Sequence, residues 1–184
     1  MPGGMSPDRD ILIFLAGPVR GGGDWQMQCV NLIMERYLPL SSQFRYCCVA
    51  IPSHYPRDHS LRQYEVESHD LARTFQHQTL WERYYLSMAA QMGCILFWLP
   101  CESREHPRDS NDGPYARETR GELGEWRAHM AYNPKLKMVV GAEAEFPGLK
   151  QIQLNFDTQL RCSFQIHNTL EATVAAAMEH TLSH

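Results

Sequence analysis

At 184 residues, the chain is long enough for one domain with a single hydrophobic core. Its composition, 43% apolar and 21% charged, is that of a folded rather than a disordered chain. A formal net charge of −4 argues against a nucleic-acid-binding surface, and no apolar run approaches the roughly 20 residues of a membrane span.

The polar start of the chain, 1–10, lacks the charged and then apolar order of a signal peptide, and we expect a disordered lead there. Residues 11–182 are then predicted to form a single domain. Six cysteines, none in a CxxC motif, indicate free thiols and a reducing, cytoplasmic compartment. The nine histidines show no zinc-ligand spacing, so neither a metal site nor a cofactor is predicted.

Short apolar runs alternate with longer amphipathic stretches along the domain. In chain order they predict strand 11–16, helix 25–38, strand 46–51, helix 79–91, strand 94–99, helix 122–132, strand 137–141, strand 152–156 and helix 168–180. Asn168 is a suitable N-cap for the last helix. Strands that are apolar on both faces and are separated by helices indicate an α/β domain with a parallel sheet and helices on both faces. Such sheets bind ligands at the carboxyl ends of their strands.

The loop after the first strand, "GPVRGGGDW" (17–25), is rich in glycine, and Gly17 and its neighbours let the backbone approach a ligand closely. Asp24 is placed to cap the next helix, whose free N–H groups favour an anion, and Arg20 is placed to bind a phosphate. Trp25 is a candidate to stack on a base, or to pack in the core. The loop matches neither the Walker motif nor GxGxxG, so a flexible turn is the alternative.

The stretch "YARETRGELGEW" (115–126) holds three glutamates. A helix beginning near Thr119 would place Glu122 in its first turn, where the helix end lowers the pKa of a carboxylate and suits it to act as a nucleophile. The alternative is a capping box between Thr119 and Glu122. Arg120 would either attract an anionic substrate or be solvated.

Three segments, in this order and spacing, resemble the nucleoside 2-deoxyribosyltransferase-like family: "FLAGPVRGGGDWQ", "LWERYYLSMAAQMGCILFWLPCE" and "TRGELGEW". The resemblance extends over about residues 11–180. It implies a flavodoxin-like (Rossmann-like) sheet of five parallel strands. It also implies a homo-oligomer that acts on a small-molecule nucleoside or nucleotide, with no nucleic-acid or membrane partner.

By this resemblance, Glu122 is the nucleophile that attacks the anomeric carbon of the nucleoside, and Glu82 of the "WE" pair reaches the substrate. Many transferases of the family carry an acidic residue six positions before the nucleophile, where this chain has Ala116. Glu118, Asp112 and Glu82 are the candidates to replace it.

Three functions follow as hypotheses. The first is transfer or hydrolysis of a (deoxy)ribosyl group through a glycosyl-Glu122 intermediate. The second is cleavage of a larger N-glycoside such as NAD, and the third is a nucleotide-binding regulatory or defence module with little turnover. The polar segment 101–115 has few apolar groups to anchor it and is predicted to be a mobile lid or an insertion without a role.

Overall fold

The structure is a computed structural model, and it describes residues 10–37, 46–52 and 75–182. The expected lead, apart from Asp10, lies outside these residues, as do His54 and Tyr55, which follow the second predicted strand and are further candidates to contact a ligand at its carboxyl end. The elements, numbered along the chain, are β1 (Asp10–Ala16), α1 (Trp25–Tyr37), β2 (Tyr46–Ala50), α2 (Phe75–Met92), β3 (Gly93–Leu99), α3 (Arg117–Tyr132), β4 (Met138–Ala142), α4 (Leu149–Leu160), β5 (Ile166–His167) and α5 (Leu170–Leu182). A single 3₁₀ turn, Ser110–Asp112, lies between β3 and α3.

The five strands form one sheet in the order β2-β1-β3-β4-β5, and every neighbouring pair is parallel. This is the flavodoxin-like strand order, so the predicted fold class is confirmed. Every residue of β1 and β3 is buried, because helices cover both faces of these central strands.

Alternate residues of each strand supply two separate cores. On one face, Phe14 and Phe97 pack with residues of α2, α3 and α4. On the other face, Ile13 and Leu96 pack with residues of α1 and α5. Consequently α2 and α3 lie side by side on the same face of the sheet, and this arrangement creates the groove described below.

The predicted strand at 152–156 is wrong, because this segment belongs to α4. The alternation of Ile152, Leu154 and Phe156 suggested a strand with one apolar face. In the helix, Ile152 and Phe156 are buried against the sheet, whereas Leu154 is 58% exposed. The fifth strand is instead the two-residue β5, which pairs with β4.

The cap of the last helix also differs from the prediction. Helix α5 begins at Leu170, and the hydroxyl of Thr169 accepts a hydrogen bond from the N–H of Ala172 at 3.1 Å. Thr169 is therefore the N-cap residue, and Asn168 lies one position before it.

All six cysteines fall in the described ranges, and each is a free thiol. None of the described helices combines the length and the apolar character needed to cross a bilayer.

Candidate active site

The strand order reverses between β1 and β3, and the loops that follow these two strands meet at the carboxyl edge of the sheet. The backbone N–H of Ser103 donates to the carbonyl of Gly21 at 2.7 Å. A Cβ on Gly21 would lie 3.1 Å from the backbone nitrogen of Arg108, so the segment after β3 packs closely on the first loop.

Polar contacts hold the segment 101–115 in addition to its few apolar groups, and its role as a lid or as an insertion stays a prediction. Arg108 forms an ion pair with Glu102 at 3.2 Å and donates to the carbonyl of Gly113. The hydroxyl of Tyr115 donates to the carbonyl of Pro100 at 2.8 Å. The prediction overlooked these contacts because it counted only apolar groups.

Trp25 packs beneath the first loop, so its assignment as a base-stacking residue is wrong. The side chain is 4% exposed, and its Nε1–H donates to the carbonyl of Pro18 at 2.9 Å. A Cβ on Gly17 would lie 2.3 Å from the carbonyl oxygen of Trp98 and 2.7 Å from the Trp25 ring. Gly17 is therefore required by close packing at this position.

Arg20 and Asp24 lie in the first loop as predicted. The Arg20 guanidinium, whose side chain is 75% exposed, contacts the Asp112 carboxylate at 2.7 Å. Asp24 directly precedes α1, and its carbonyl accepts from the N–H of Gln28. A phosphate at this loop stays a prediction, and it would compete with Asp112 for Arg20.

Helix α3 begins at Arg117, two residues earlier than predicted, with Ala116 in the left-handed region at φ 57°. Thr119 is thus inside the helix and 4% exposed, so neither the capping box nor contact of this residue with substrate is supported. Arg120 donates to the carbonyl of Pro147 at 2.7 Å and lies over the Phe146 ring, which ties α3 to the loop after β4. These contacts give Arg120 a structural role, and its contact with an anionic substrate stays a prediction.

Between α2 and α3 runs a groove of about 420 Å³. Glu82 of α2 and Glu122 of α3 both line it, near the carboxyl edge of the sheet. Leu86, Trp126 and Leu136 add apolar surface farther along. Glu82 and Glu122 are the two predicted site residues that the fold brings together, whereas Gly17, Arg20, Asp24 and Trp25 belong to the first loop.

Burial first, and then the neighbouring carboxylates of Glu82 and Glu125, together raise the pKa of Glu122 to about 7, against the opposing charge of Arg83. The expectation of a lowered pKa is wrong because Glu122 lies in the second turn of α3, beyond the free N–H groups at the helix end. Among the described residues, no group donates a hydrogen bond to its carboxyl. Glu122 therefore keeps its proton to a higher pH than a free glutamate does.

Of the three acidic residues considered as replacements at Ala116, only Glu82 shares the groove with Glu122. Burial raises the pKa of Glu82, and a hydrogen bond from Gln78 partly opposes this. Asp112 pairs with Arg20, and Glu118 pairs with Arg117 at 2.7 Å, which lowers the pKa of Glu118. Glu82 is accordingly the candidate proton donor.

An ion pair that the sequence did not point to crosses the groove. Arg83 of α2 contacts both carboxylate oxygens of Glu125 on α3, at 3.1 and 3.4 Å. The two side chains are largely exposed, so the pair contributes little to stability. The pair lies one turn beyond Glu122, and the positive charge of Arg83 acts on the Glu122 carboxyl.

Within the described ranges, no group of three histidine, cysteine or acidic side chains is arranged to hold a metal ion. Comparisons of the chain with protein-family profiles, with curated proteins and with solved structures return no match.

The raised pKa of Glu122 predicts how stability depends on pH. The folded protein holds the Glu122 proton up to about pH 7, whereas a free glutamate holds it only to about pH 4.5. The protonated carboxyl therefore makes its full contribution to the free energy of unfolding below pH 4.5, and this contribution is lost as the pH rises to 7. The Glu122→Gln variant has no proton to lose at this position, so its stability does not fall in this way. We expect the difference in free energy of unfolding between the variant and the parent to increase from pH 5 to pH 8 by on the order of 1–3 kcal/mol in favour of the variant. Urea unfolding at both pH values measures the change, and an equal difference at both would contradict the assignment.

Proposed function

We propose that this protein is an N-glycosidic-bond enzyme that transfers or hydrolyses the (deoxy)ribosyl group of a nucleoside or nucleotide. The observation that carries the proposal is the placement of Glu82 and Glu122 in one groove between α2 and α3. A carboxylate nucleophile and a carboxylic acid are the two groups that this chemistry requires. The resemblance of the "TRGELGEW" segment supports Glu122 as the nucleophile.

The reaction has two displacements at C1′. First, an ionised Oε of Glu122 attacks C1′ and forms an ester, the C1′–N bond breaks, and the proton of Glu82 passes to the leaving base. Second, water or another base attacks C1′, the ester bond breaks to restore Glu122, and Glu82 takes up the proton of the attacking group. Two displacements retain the configuration at C1′. The reactive form of the pair therefore carries one proton, on Glu82.

The length of the groove favours a second candidate within the same chemistry. Lining residues continue from Glu122 past Trp126 to Tyr132, and ten helical residues span about 15 Å. This is long enough for an N-glycoside larger than a nucleoside, such as NAD. The pair of carboxyl groups would then act on the nicotinamide ribose.

Incubation with a panel of nucleosides, nucleoside monophosphates and NAD tests the proposal, with free base measured by chromatography. We expect free base from at least one member in the parent and none in Glu122→Gln. Release of nicotinamide alone would favour the second candidate. Binding of a panel member without release of any base would contradict the proposed enzymatic activity. It would favour the remaining hypothesis, a nucleotide-binding regulatory or defence module.

The proposal also includes a cytoplasmic location and a homo-oligomer. The free thiols support a reducing compartment. The oligomer rests on the resemblance, and light scattering at micromolar concentration measures it directly. A monomer at that concentration would remove it from the proposal.

A further inference from the structure

Gln78 of α2 joins Glu82 to the end of β2. Its Nε2 donates to Oε1 of Glu82 at 3.0 Å and to the carbonyl of Pro52 at 3.2 Å. Both partners are acceptors, so only the NH₂ side of the amide satisfies them and the orientation of the amide is fixed. Each of the two amide hydrogens thus has its own acceptor.

We infer that Gln78 is a positioning residue that holds Glu82 in the orientation in which it gives its proton to the leaving base. The inference rests on the proposed function of the Glu82–Glu122 pair. Because Oε1 of Glu82 accepts from Gln78, the acidic proton is carried on Oε2. The bond to Pro52 keeps the amide itself in place, since Gln78 is fixed at two points rather than one.

The hydrogen bond also sets how the two carboxyl groups share a proton. A donor to a carboxylate favours its ionised form, so loss of Gln78 raises the pKa of Glu82. With less negative charge on Glu82, the pKa of Glu122 falls. Among the described residues, the other charged groups that act on Glu122 are Glu118, Glu125 and Arg83, and a substitution at position 78 changes none of them.

The test compares Gln78→Met, which keeps the length of the side chain without its donors, with Gln151→Met. Gln151 of α4 donates to Asn155 at 2.9 Å with the same spacing of four residues, but it lies outside the groove. Carboxyl ¹³C NMR titration of the two proteins, without substrate, follows Glu82 and Glu122 separately. We expect Gln78→Met to raise the pKa of Glu82 by about one unit and to lower that of Glu122. A purely structural role would not move the two pKa values in opposite directions.

In the steady-state kinetics of Gln78→Met we expect kcat to fall about ten-fold or more with little change in KM. The reason is that Glu82 is no longer oriented to give its proton, while substrate binding is retained. Should Gln78→Met not fold, Gln78→Ala also removes both donors without adding a charge, and the same opposite shifts are expected. Titration curves that match those of Gln151→Met would overturn the inference. Opposite shifts in a protein that cleaves no panel member would support the positioning role and reject the proposed function.

Discussion

Replacing Glu122 by glutamine is expected to lower turnover by several orders of magnitude and to leave the fold intact. The amide has nearly the volume of the carboxyl group but cannot form the ester with C1′, so the first displacement has no nucleophile. Glu122 is half-buried, and none of the described residues donates a hydrogen bond to its carboxyl, so the substitution should not disturb packing. Chromatography of the free base released by the purified variant measures its turnover, and circular dichroism measures whether the fold is intact.

Glu118→Gln is the matched control, because this glutamate lies one turn earlier on α3, has a side chain that is 72% exposed and pairs with Arg117. We expect the control to turn over at nearly the parent rate. If Glu122→Gln retained more than about a tenth of the parent rate, Glu122 would not be the nucleophile.

Glu82→Gln is expected to lose about 10²–10⁴-fold in rate on nucleosides with a neutral base, since proton transfer to the leaving base is lost. An N7-methylated purine nucleoside already carries a positive charge, and its base leaves without protonation. The variant should therefore recover most of the parent rate on that substrate. Equal losses on both substrates would contradict the role of Glu82 as the acid.

The pH dependence gives the same variant a second readout. The reactive form carries one proton on the pair, so kcat/KM of the parent should be bell-shaped, with its falling limb near pH 7 as the last shared proton leaves. In Glu82→Gln the falling limb should disappear, and only the rise caused by ionisation of Glu122 should remain. A falling limb that persists in the variant would assign it to another group.

The sheet was predictable from sequence because its strands are apolar on both faces, as in "ILIFLA" and "CILFWL". The segment 152–156 was mistaken for a strand because three apolar residues at every second position also fit one side of a helix. Burial of Ile152 and Phe156 with exposure of Leu154 distinguishes the two, and that pattern depends on the neighbouring elements. Tertiary packing decides whether a short segment of this kind forms a strand or a helix.

The site was predictable only in part. The motif pointed to Glu122, but the direction of its pKa shift was wrong because the helix begins at Arg117 rather than near Thr119. Residue Ala116, with its left-handed backbone, gave no cap signal from which to place that start. The approach of Glu82 to Glu122 depends on α2 and α3 covering the same face of the sheet, which the spacing of 40 residues along the chain does not reveal.

The proposed reaction depends on a glycosyl ester at Glu122, and trapping this ester tests it directly. A 2′-fluoro nucleoside analogue slows hydrolysis of the glycosyl ester, so the protein is incubated with it, quenched in acid, digested with trypsin and analysed by mass spectrometry. We expect one added fluoro-sugar on peptide 121–127, located at Glu122 by fragmentation and absent from Glu122→Gln. Cleavage of the analogue by the parent protein without labelling of this peptide, or a sugar on Glu82 or Glu125, would contradict the role of Glu122.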